Sequence, residues 1–290
     1  MRRRSVDGVE ETLSTHALEH GVLHISRGSV VHFEGDAIVN AANRGCLGGG
    51  GVDGAISSAG GDALADARLA LPLVRRGVRC EAGDAVVTVG GELRAKWCVH
   101  AVGPNYYEVA DEISVGSEDV DLEAEAEAML RADALLFQAY TAAMGRAQHV
   151  GAQTVGFSLL SSGIFRGRQS LANVLKIAVN ALKQASYPGL ERVHLVAFTA
   201  SEQSSLLAAA EHAFAPPLDL ASTLEDPNDD GAPEQPDHAP SAPDDGEAQE
   251  QPDHAPSAPD DDAQEHQPDD SEIPLQPEAE RASPEPPTQN

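Results

Sequence analysis

The sequence has few cysteines, few basic residues and no long hydrophobic run. Cys46, Cys80 and Cys98 are too few and too scattered for a disulfide framework or a zinc site, so we expect a reducing compartment, no metal and no cofactor. The basic start, MRRRS, is not followed by an apolar stretch of signal-peptide or membrane-spanning length. With 19 basic residues against 47 acidic ones, the chain lacks the clustered cations that bind nucleic acid. We therefore expect a monomer in the cytoplasm or nucleus that binds neither membranes nor nucleic acid.

The last quarter of the chain differs in composition from the rest. From Pro216 onward there are 16 of the 19 prolines, 22 acidic residues and one basic residue, and the segment EQPDHAPSAPDD occurs twice. This composition cannot bury enough apolar surface to offset the entropy of ordering the chain. We therefore predict a disordered acidic tail over residues 215–290, one folded domain over residues 21–214, and an N-terminal extension over residues 1–20.

In the predicted domain, short apolar runs alternate with longer segments of helical period, which is typical of an α/β layered fold. The segment from Tyr106 to Val120 is acidic and has no periodicity, so we predict a loop there. Strands are predicted over Val22–Ile25, Ala37–Asn40, Ala85–Val89, Trp97–Val102, Thr154–Leu159 and Val193–Phe198. Helices are predicted over Asp62–Val74, Leu122–Met144, Ser170–Ser186 and Ser201–Phe214.

The most informative stretch is Asp36–Gly61. Its strand ends in two asparagines, Asn40 and Asn43, and four glycines, Gly48–Gly51, lead into a helix predicted to begin near Val52. Glycines let backbone N–H groups approach an anion, and a helix N-terminus adds a positive dipole. Neither the Gly-Lys-Ser/Thr of a Walker loop nor the G-x-G-x-x-G dinucleotide motif is present. The pattern favours a site for a diphosphate.

A second loop containing glycine, Ser161–Phe165, follows the strand that ends near Leu159. Because α/β folds bind ligands at the carboxyl ends of their strands, we expect the two loops to hold one phosphate group from opposite sides.

Three motifs together closely resemble the macrodomain family, especially its MacroD type. They are NAAN at Asn40–Asn43 with GGGGVDG at Gly48–Gly54, then His100–Pro104, then Ser161–Phe165, and they occur in the family's order. The resemblance covers about residues 21–214. It implies a three-layer α/β/α sandwich with a mixed central sheet, which agrees with the order of the predicted elements. It also implies that the ligand is ADP-ribose, either free or attached to a modified protein.

The resemblance implies a role for each motif residue. Asp53 has the position of the acidic residue that orients or activates water in hydrolytic members, and Asn43 would hydrogen-bond the distal ribose above Asn40. Phe165 would lie against that ribose, while Ser29 and Val30 would face the adenine. The residues implied to wrap the diphosphate are Gly48, Gly49, Gly50, Gly51, Val52, Ser161, Ser162, Gly163 and Ile164.

Some positions depart from the family's pattern. Ser29 stands where members often have an aspartate that accepts from the adenine amino group, so base recognition lacks charge assistance. Ser57 stands where MacroD-type enzymes commonly carry histidine, four residues after Asp53. Arg166 or Arg168 could reach a phosphate, but we favour the interpretation that both are solvated side chains. His100 is interpreted as a satisfied core or rim histidine.

Two functions compete for the same site. One is a hydrolase that removes mono-ADP-ribose esters from acidic side chains or deacylates O-acetyl-ADP-ribose, with water activated either by Asp53 or by the ligand's own phosphate. The other is a module that binds ADP-ribosylated proteins without turnover. In a third interpretation the acidic tail is the active part. Because Asn43 and Asp53 are both present, we favour the hydrolase.

Overall fold

The computed structural model describes residues 7–113 and 122–216. All but the first two residues of the predicted tail, and the end of the predicted acidic loop, lie outside these ranges. Within them, no helix is long and apolar enough to cross a membrane.

Seven strands form one mixed sheet in the order β1-β2-β7-β6-β3-β5-β4. The five inner strands are parallel to their inner neighbours, while β1 and β4 pair antiparallel at the two edges. The strands are β1 (Glu11–Ala17), β2 (Val22–Arg27), β3 (Ala37–Ala41), β4 (Ala85–Val89), β5 (Trp97–Ala101), β6 (Thr154–Phe157) and β7 (Arg192–Ala197).

Helices cover both faces of the sheet, so the predicted three-layer α/β/α fold is confirmed. The helices are α1 (Gly51–Leu69), α2 (Tyr106–Ile113), α3 (Leu122–His149), α4 (Leu171–Gln184) and α5 (Ala200–Phe214). Along β3, Ala37 and Val39 pack into the larger core with α3, α4 and α5. Ile38 points to the other face and packs with Ile56 and Leu64 of α1. This alternation follows from the two-residue period of a strand.

The structure corrects three sequence predictions. The strand β1 was missed, because its sequence, ETLSTHA, is polar and it lies at an edge; it falls within the residues predicted to be an N-terminal extension. The predicted loop is helical over Tyr106–Ile113, where Tyr106 and Val109 form a short buried face. The helices predicted from Val52 and over Asp62–Val74 are the two halves of α1, which meet at a kink with non-helical geometry at Gly61. The second half ends at Leu69 and not at Val74, because Pro72 disfavours helix before it.

Candidate functional site

Three loops meet where the parallel strands β3, β5 and β6 end. The hydroxyl of Ser161, after β6, donates to the carbonyl of Pro104, after β5, at 2.7 Å. Beside them lies a cavity of about 310 Å³. It is lined by Asn43, Arg44, Gly45, Val102, Gly103, Asn105, Glu108 and Phe165. The structure thus brings the loop after β3 and the loop after β6 to one edge of the sheet.

Asp53 lies in the first turn of α1 and is buried. Its Oδ1 accepts a hydrogen bond from Asn40 Nδ2 at 2.8 Å and a second from Arg68, with which it forms an ion pair. Only 4% of the Asp53 side chain and 2% of the Arg68 side chain are exposed. The carboxylate is therefore buried, and both of these hydrogen bonds are accepted by the same oxygen, Oδ1.

His100, in β5, contacts Arg68 and forms a cluster with it and Asp53. Its Nε2 lies 2.9 Å from the hydroxyl of Thr88, and that hydroxyl donates to the Val89 carbonyl, so Nε2 carries the hydrogen. Its Nδ1 then accepts from Arg68 Nη2 at 3.2 Å. Burial, and then the charge of Arg68, lowers the pKa of His100 to about 3. His100 is a neutral core histidine, as the sequence indicated.

Ser57 occupies the next turn of α1 and links Asp53 to Arg68. Its hydroxyl donates to the Asp53 carbonyl at 2.7 Å and accepts from Arg68 Nη1 at 2.6 Å. The serine found at the family's histidine position is thus a hydrogen-bond partner of Arg68, a residue that the sequence analysis did not single out.

Two buried polar atoms of the cluster have no hydrogen-bond partner among the described residues. They are Asn40 Oδ1 and Asp53 Oδ2. A β-carbon added to Gly49 would lie 3.2 Å from Asp53 Oδ2 and 3.2 Å from Asn43 Nδ2. The carboxylate of Asp53 and the amide of Asn43 therefore converge beside a residue that has no side chain.

Asn43 also fixes the shape of the glycine loop. Its Oδ1 accepts from the backbone N–H groups of Gly45 and Cys46 at 3.0 and 3.2 Å. Its Nδ2 donates to the Gly48 carbonyl at 2.8 Å and carries a second hydrogen. The side chain therefore holds the loop in place while one N–H bond remains for another acceptor.

The glycines present backbone rather than side chains at the start of α1. Gly49, Gly50 and Gly51 are exposed, and Gly50 caps the helix without a side-chain hydrogen bond. Val52, half-buried, begins to pack against the core below. The N–H groups of this first turn can therefore donate to an anion at the helix N-terminus.

The loop after β6 contributes to the wall of the cavity that Asn43 also lines. Ser161 is buried, while Gly163 and Ile164 are exposed. The hydroxyl of Ser162 donates to the Leu159 carbonyl at 3.2 Å, and Phe165 lines the cavity.

The two arginines after this loop differ from each other. Arg166 donates to the carbonyls of Ser162 and Gln169, at 3.2 and 2.6 Å, so it braces the loop and is not simply solvated as predicted. Arg168 is exposed, which agrees with the prediction.

A third surface lies where β2 and β7 end together. The N–H of Gly28 donates to the Ala197 carbonyl at 3.1 Å, so Ser29 and Phe198 both follow directly on the paired carboxyl ends of these two strands. Ser29 is half-buried and makes no capping bond, and Val30 is buried. Phe198 is 75% exposed. The sequence showed it only as the end of a strand; an aromatic side chain directly after a parallel strand was the signal to follow.

Comparison with known proteins agrees with this arrangement. The Macro domain family model matches residues 39–178. A macro domain-containing protein of Cupriavidus necator is 36% identical over 176 residues, which cover 61% of this chain and 90% of that relative. The chain belongs to the macro domain family.

Other relatives of this macro domain protein extend the comparison. The O-acetyl-ADP-ribose deacetylase 1 of Pantoea vagans is 36% identical over 177 residues, 61% of this chain and 91% of that protein. The solved Oceanobacillus iheyensis macrodomain with ADP matches with a TM-score of 0.58 and 24% identity, covering 69% of this chain and 95% of that one. That solved structure shares the fold.

Proposed function

We propose that this macro domain protein binds ADP-ribose and hydrolyses mono-ADP-ribose esters, either on acidic side chains of proteins or in O-acetyl-ADP-ribose. One observation carries the proposal. Asp53 Oδ2 is buried without a partner among the described residues, next to Asn43 Nδ2, beneath Gly49. A buried carboxylate oxygen that makes no hydrogen bond is costly, so a ligand that supplies one is favoured there.

The bound ligand would place a hydroxyl group or a water molecule between these two side chains. It would accept a hydrogen bond from Asn43 Nδ2 and donate one to Asp53 Oδ2. An oxygen of an ionised carboxylate accepts hydrogen bonds and donates none. A ribose hydroxyl in this position explains recognition. A water in this position, close to the anomeric carbon, would release an acidic side chain as its carboxylate, because the oxocarbenium-like transition state needs a placed nucleophile and a group that takes its proton. For O-acetyl-ADP-ribose the water would instead attack the acetyl carbonyl, and the ribose oxygen would leave.

The flanking loops suit the rest of the ligand. The exposed glycines at the start of α1 and the Ser161–Phe165 loop lie at the same sheet edge, where N–H groups would bind a diphosphate. Ser29 and the exposed ring of Phe198 suit the adenine, the serine by hydrogen bonding and the ring by stacking. Phe165, in the cavity wall with Asn43, suits the distal ribose.

Two relatives support this choice of ligand and reaction. One is named O-acetyl-ADP-ribose deacetylase 1, and a protein of the same fold was solved with ADP. The ester of O-acetyl-ADP-ribose and the ester on an acidic side chain both present an acylated ribose, so one site serves both.

The test is release of ADP-ribose from a protein automodified on glutamate, with calorimetry of ADP-ribose binding alongside. Wild type, Asp53→Ala and Asn43→Ala are compared. We expect release by wild type to collapse in Asp53→Ala while binding persists, and Asn43→Ala to weaken both. Binding without release by wild type would make the protein a reader of ADP-ribosylated partners. Absence of both would overturn the proposal.

The burial of Asp53 also supports the alternative function, in which the protein binds ADP-ribosylated partners without hydrolysing the ester. A carboxylate ion-paired to Arg68 and closed to solvent needs the ligand, or a shift of Gly49, to bring water to it. Calorimetry and release measured on the same preparation separate the two functions.

A further inference from the structure

The contact between Asp53 and Arg68 depends on a kink within α1. The two residues are 15 positions apart on this element. In a straight helix their α-carbons would be about 22 Å apart along the axis, well beyond the reach of an arginine. Gly61 interrupts the helix with φ 62° and ψ −163°, a conformation that favours glycine. The kink turns the second half of α1 back toward the first and brings Arg68 to the carboxylate.

A backbone hydrogen bond holds the kink, since the Gly60 carbonyl accepts from the N–H of Glu92 at 3.0 Å. A β-carbon at Gly61 would lie 2.7 Å from the carboxylate of the exposed Glu92 side chain, which can move aside. It is therefore the positive φ of Gly61, more than the space around it, that favours glycine. The kink is fixed by backbone conformation and by a backbone hydrogen bond.

Arg68 reaches three side chains at once. Its Nη2 donates to Asp53 Oδ1, its Nη1 donates to Ser57 Oγ at 2.6 Å, and Nη2 lies 3.2 Å from His100 Nδ1. Such a planar fork suits arginine, whereas lysine is a point charge with a different geometry. Because His100 is neutral and Ser57 accepts, Asp53 is the group in this cluster that balances the charge of Arg68.

The hydrogen bonds of Asp53 are unequal as a result. Asn40 and Arg68 both donate to Oδ1, and neither makes a hydrogen bond to Oδ2. With Oδ1 fixed from two directions, rotation of the carboxylate is restricted, so Oδ2 is directed to the space beside Gly49 and Asn43.

We propose that Arg68 is a positioning residue: it holds Asp53 by one carboxylate oxygen and thereby presents the other to the ribose hydroxyl or water of the ligand. This inference rests on the proposed function, since it concerns the same site. Arg68 itself touches no ligand and acts through Asp53. Ser57 orients the guanidinium from the other side.

The experiment is a double-mutant cycle on the full chain with Arg68→Met, Asp53→Asn and the double variant. We measure ADP-ribose release from a glutamate-modified protein and ADP-ribose binding, with rates divided by the calorimetric binding stoichiometry so that only folded protein counts. We expect Arg68→Met to lower kcat by about tenfold or more, and to lower it by less than about twofold in the Asp53→Asn background. Equal effects in both backgrounds would overturn the inference.

Two further variants separate positioning from stability. Arg192→Met removes another arginine that is ion-paired to an aspartate, Asp7, away from this site. It should lower the melting temperature and leave kcat unchanged. Arg68→Lys keeps the charge and should retain more activity than Arg68→Met. If Arg68→Met does not fold, an Arg68→Lys variant with wild-type kcat and affinity would overturn the inference.

Failure of the proposed function gives a different pattern. If wild type binds ADP-ribose without release, the same cycle is measured on the dissociation constant, and non-additive losses support positioning while additive losses overturn it. If wild type neither binds nor releases ADP-ribose, the proposed function and this inference fall together.

Discussion

Two regions of the molecule each combine an aspartate, an arginine and a histidine in or against the sheet. In the Asp53 cluster, Asp53 and Arg68 of α1 meet His100 of β5. In the Asp7 cluster, Asp7 meets Arg192 and His194 of β7. Both histidines have no measurable exposure. In composition the two clusters are nearly the same.

They differ in how fully their hydrogen bonds are made. Asp7 Oδ1 accepts from Arg192 Nη2 at 2.8 Å, and Oδ2 accepts from Arg192 Nε at 2.5 Å and lies 3.2 Å from His194 Nε2. Ser26 lies 2.9 Å from the other ring nitrogen of His194. Asp53 Oδ2 has no such partner among the described residues. A completed cluster stabilises the fold, and an incomplete one is suited to a ligand.

The largest expected difference between the clusters is catalytic. Asp53→Asn should lower the rate of ADP-ribose release by about 100-fold or more, which is the usual contribution of a general acid or base. Asp7→Asn should change that rate by less than about twofold and instead lower the free energy of unfolding by about 1–3 kcal/mol. Release assays and urea unfolding check both. A comparable loss of release in the two variants would remove the distinction.

Each cluster lies near a glycine, and the two glycines should respond differently. A β-carbon on Gly49 would contact Asp53 and Asn43 at 3.2 Å, so Gly49→Ala should weaken ADP-ribose binding by about tenfold, about 1.4 kcal/mol. Gly8, next to Asp7, has φ 74°, and its β-carbon would lie 1.9 Å from the His32 carbonyl. Gly8→Ala should therefore destabilise the fold by about 1–3 kcal/mol and weaken affinity by less than Gly49→Ala does. Calorimetry and thermal unfolding of both variants test this.

In their response to pH the clusters should behave alike. Burial, and then Arg68, lowers the pKa of His100 to about 3; burial, and then His24, lowers the pKa of His194 to about 4. An unfolded histidine titrates near pH 6.5, so between these values the unfolded state binds more protons. Stability should be complete above about pH 6.5 and should fall as the pH drops toward 4, by up to about 1.4 kcal/mol per pH unit for each histidine.

Urea unfolding between pH 6.5 and 4.5 measures this slope. His100→Gln and His194→Gln should each remove about half of it. A slope that neither variant changes would show that other groups control the acid sensitivity.

The smallest expected effects come from the hydroxyl groups. Ser57→Ala and Ser26→Ala should cost about 1 kcal/mol of stability for each hydrogen bond lost, and Ser57 makes two such bonds while Ser26 makes one. Only Ser57→Ala should also lower the rate of release, by a few-fold, because Arg68 loses a partner. Equal rates in the two variants would show that Ser57 contributes to stability alone.

Much of the fold could be predicted because the central strands are short, apolar and bounded by turn residues. The edge strand β1 could not, since ETLSTHA has little apolar surface to bury. The helix at Tyr106–Ile113 was hidden by its length: two buried residues give too few repeats to distinguish a helical period.

The candidate site was predicted in part. The glycine loop, Asn43 and Asp53 follow one another in sequence, so their pattern could be read directly. Arg68 could not be found in this way, because its contact with Asp53 exists only after the chain bends at Gly61. The pair of glycines at positions 60 and 61, inside an otherwise helical pattern, was the available signal for that bend.

The kink at Gly61 also restricts insertions and deletions in the second half of α1. One residue inserted between Gly61 and Arg68 would turn the arginine by about 100° around the helix axis and away from its partners. Substitutions along this stretch, by contrast, leave the register intact. Homologous sequences should therefore tolerate substitutions at the exposed positions 62, 63, 65 and 66 far better than insertion or deletion of a single residue.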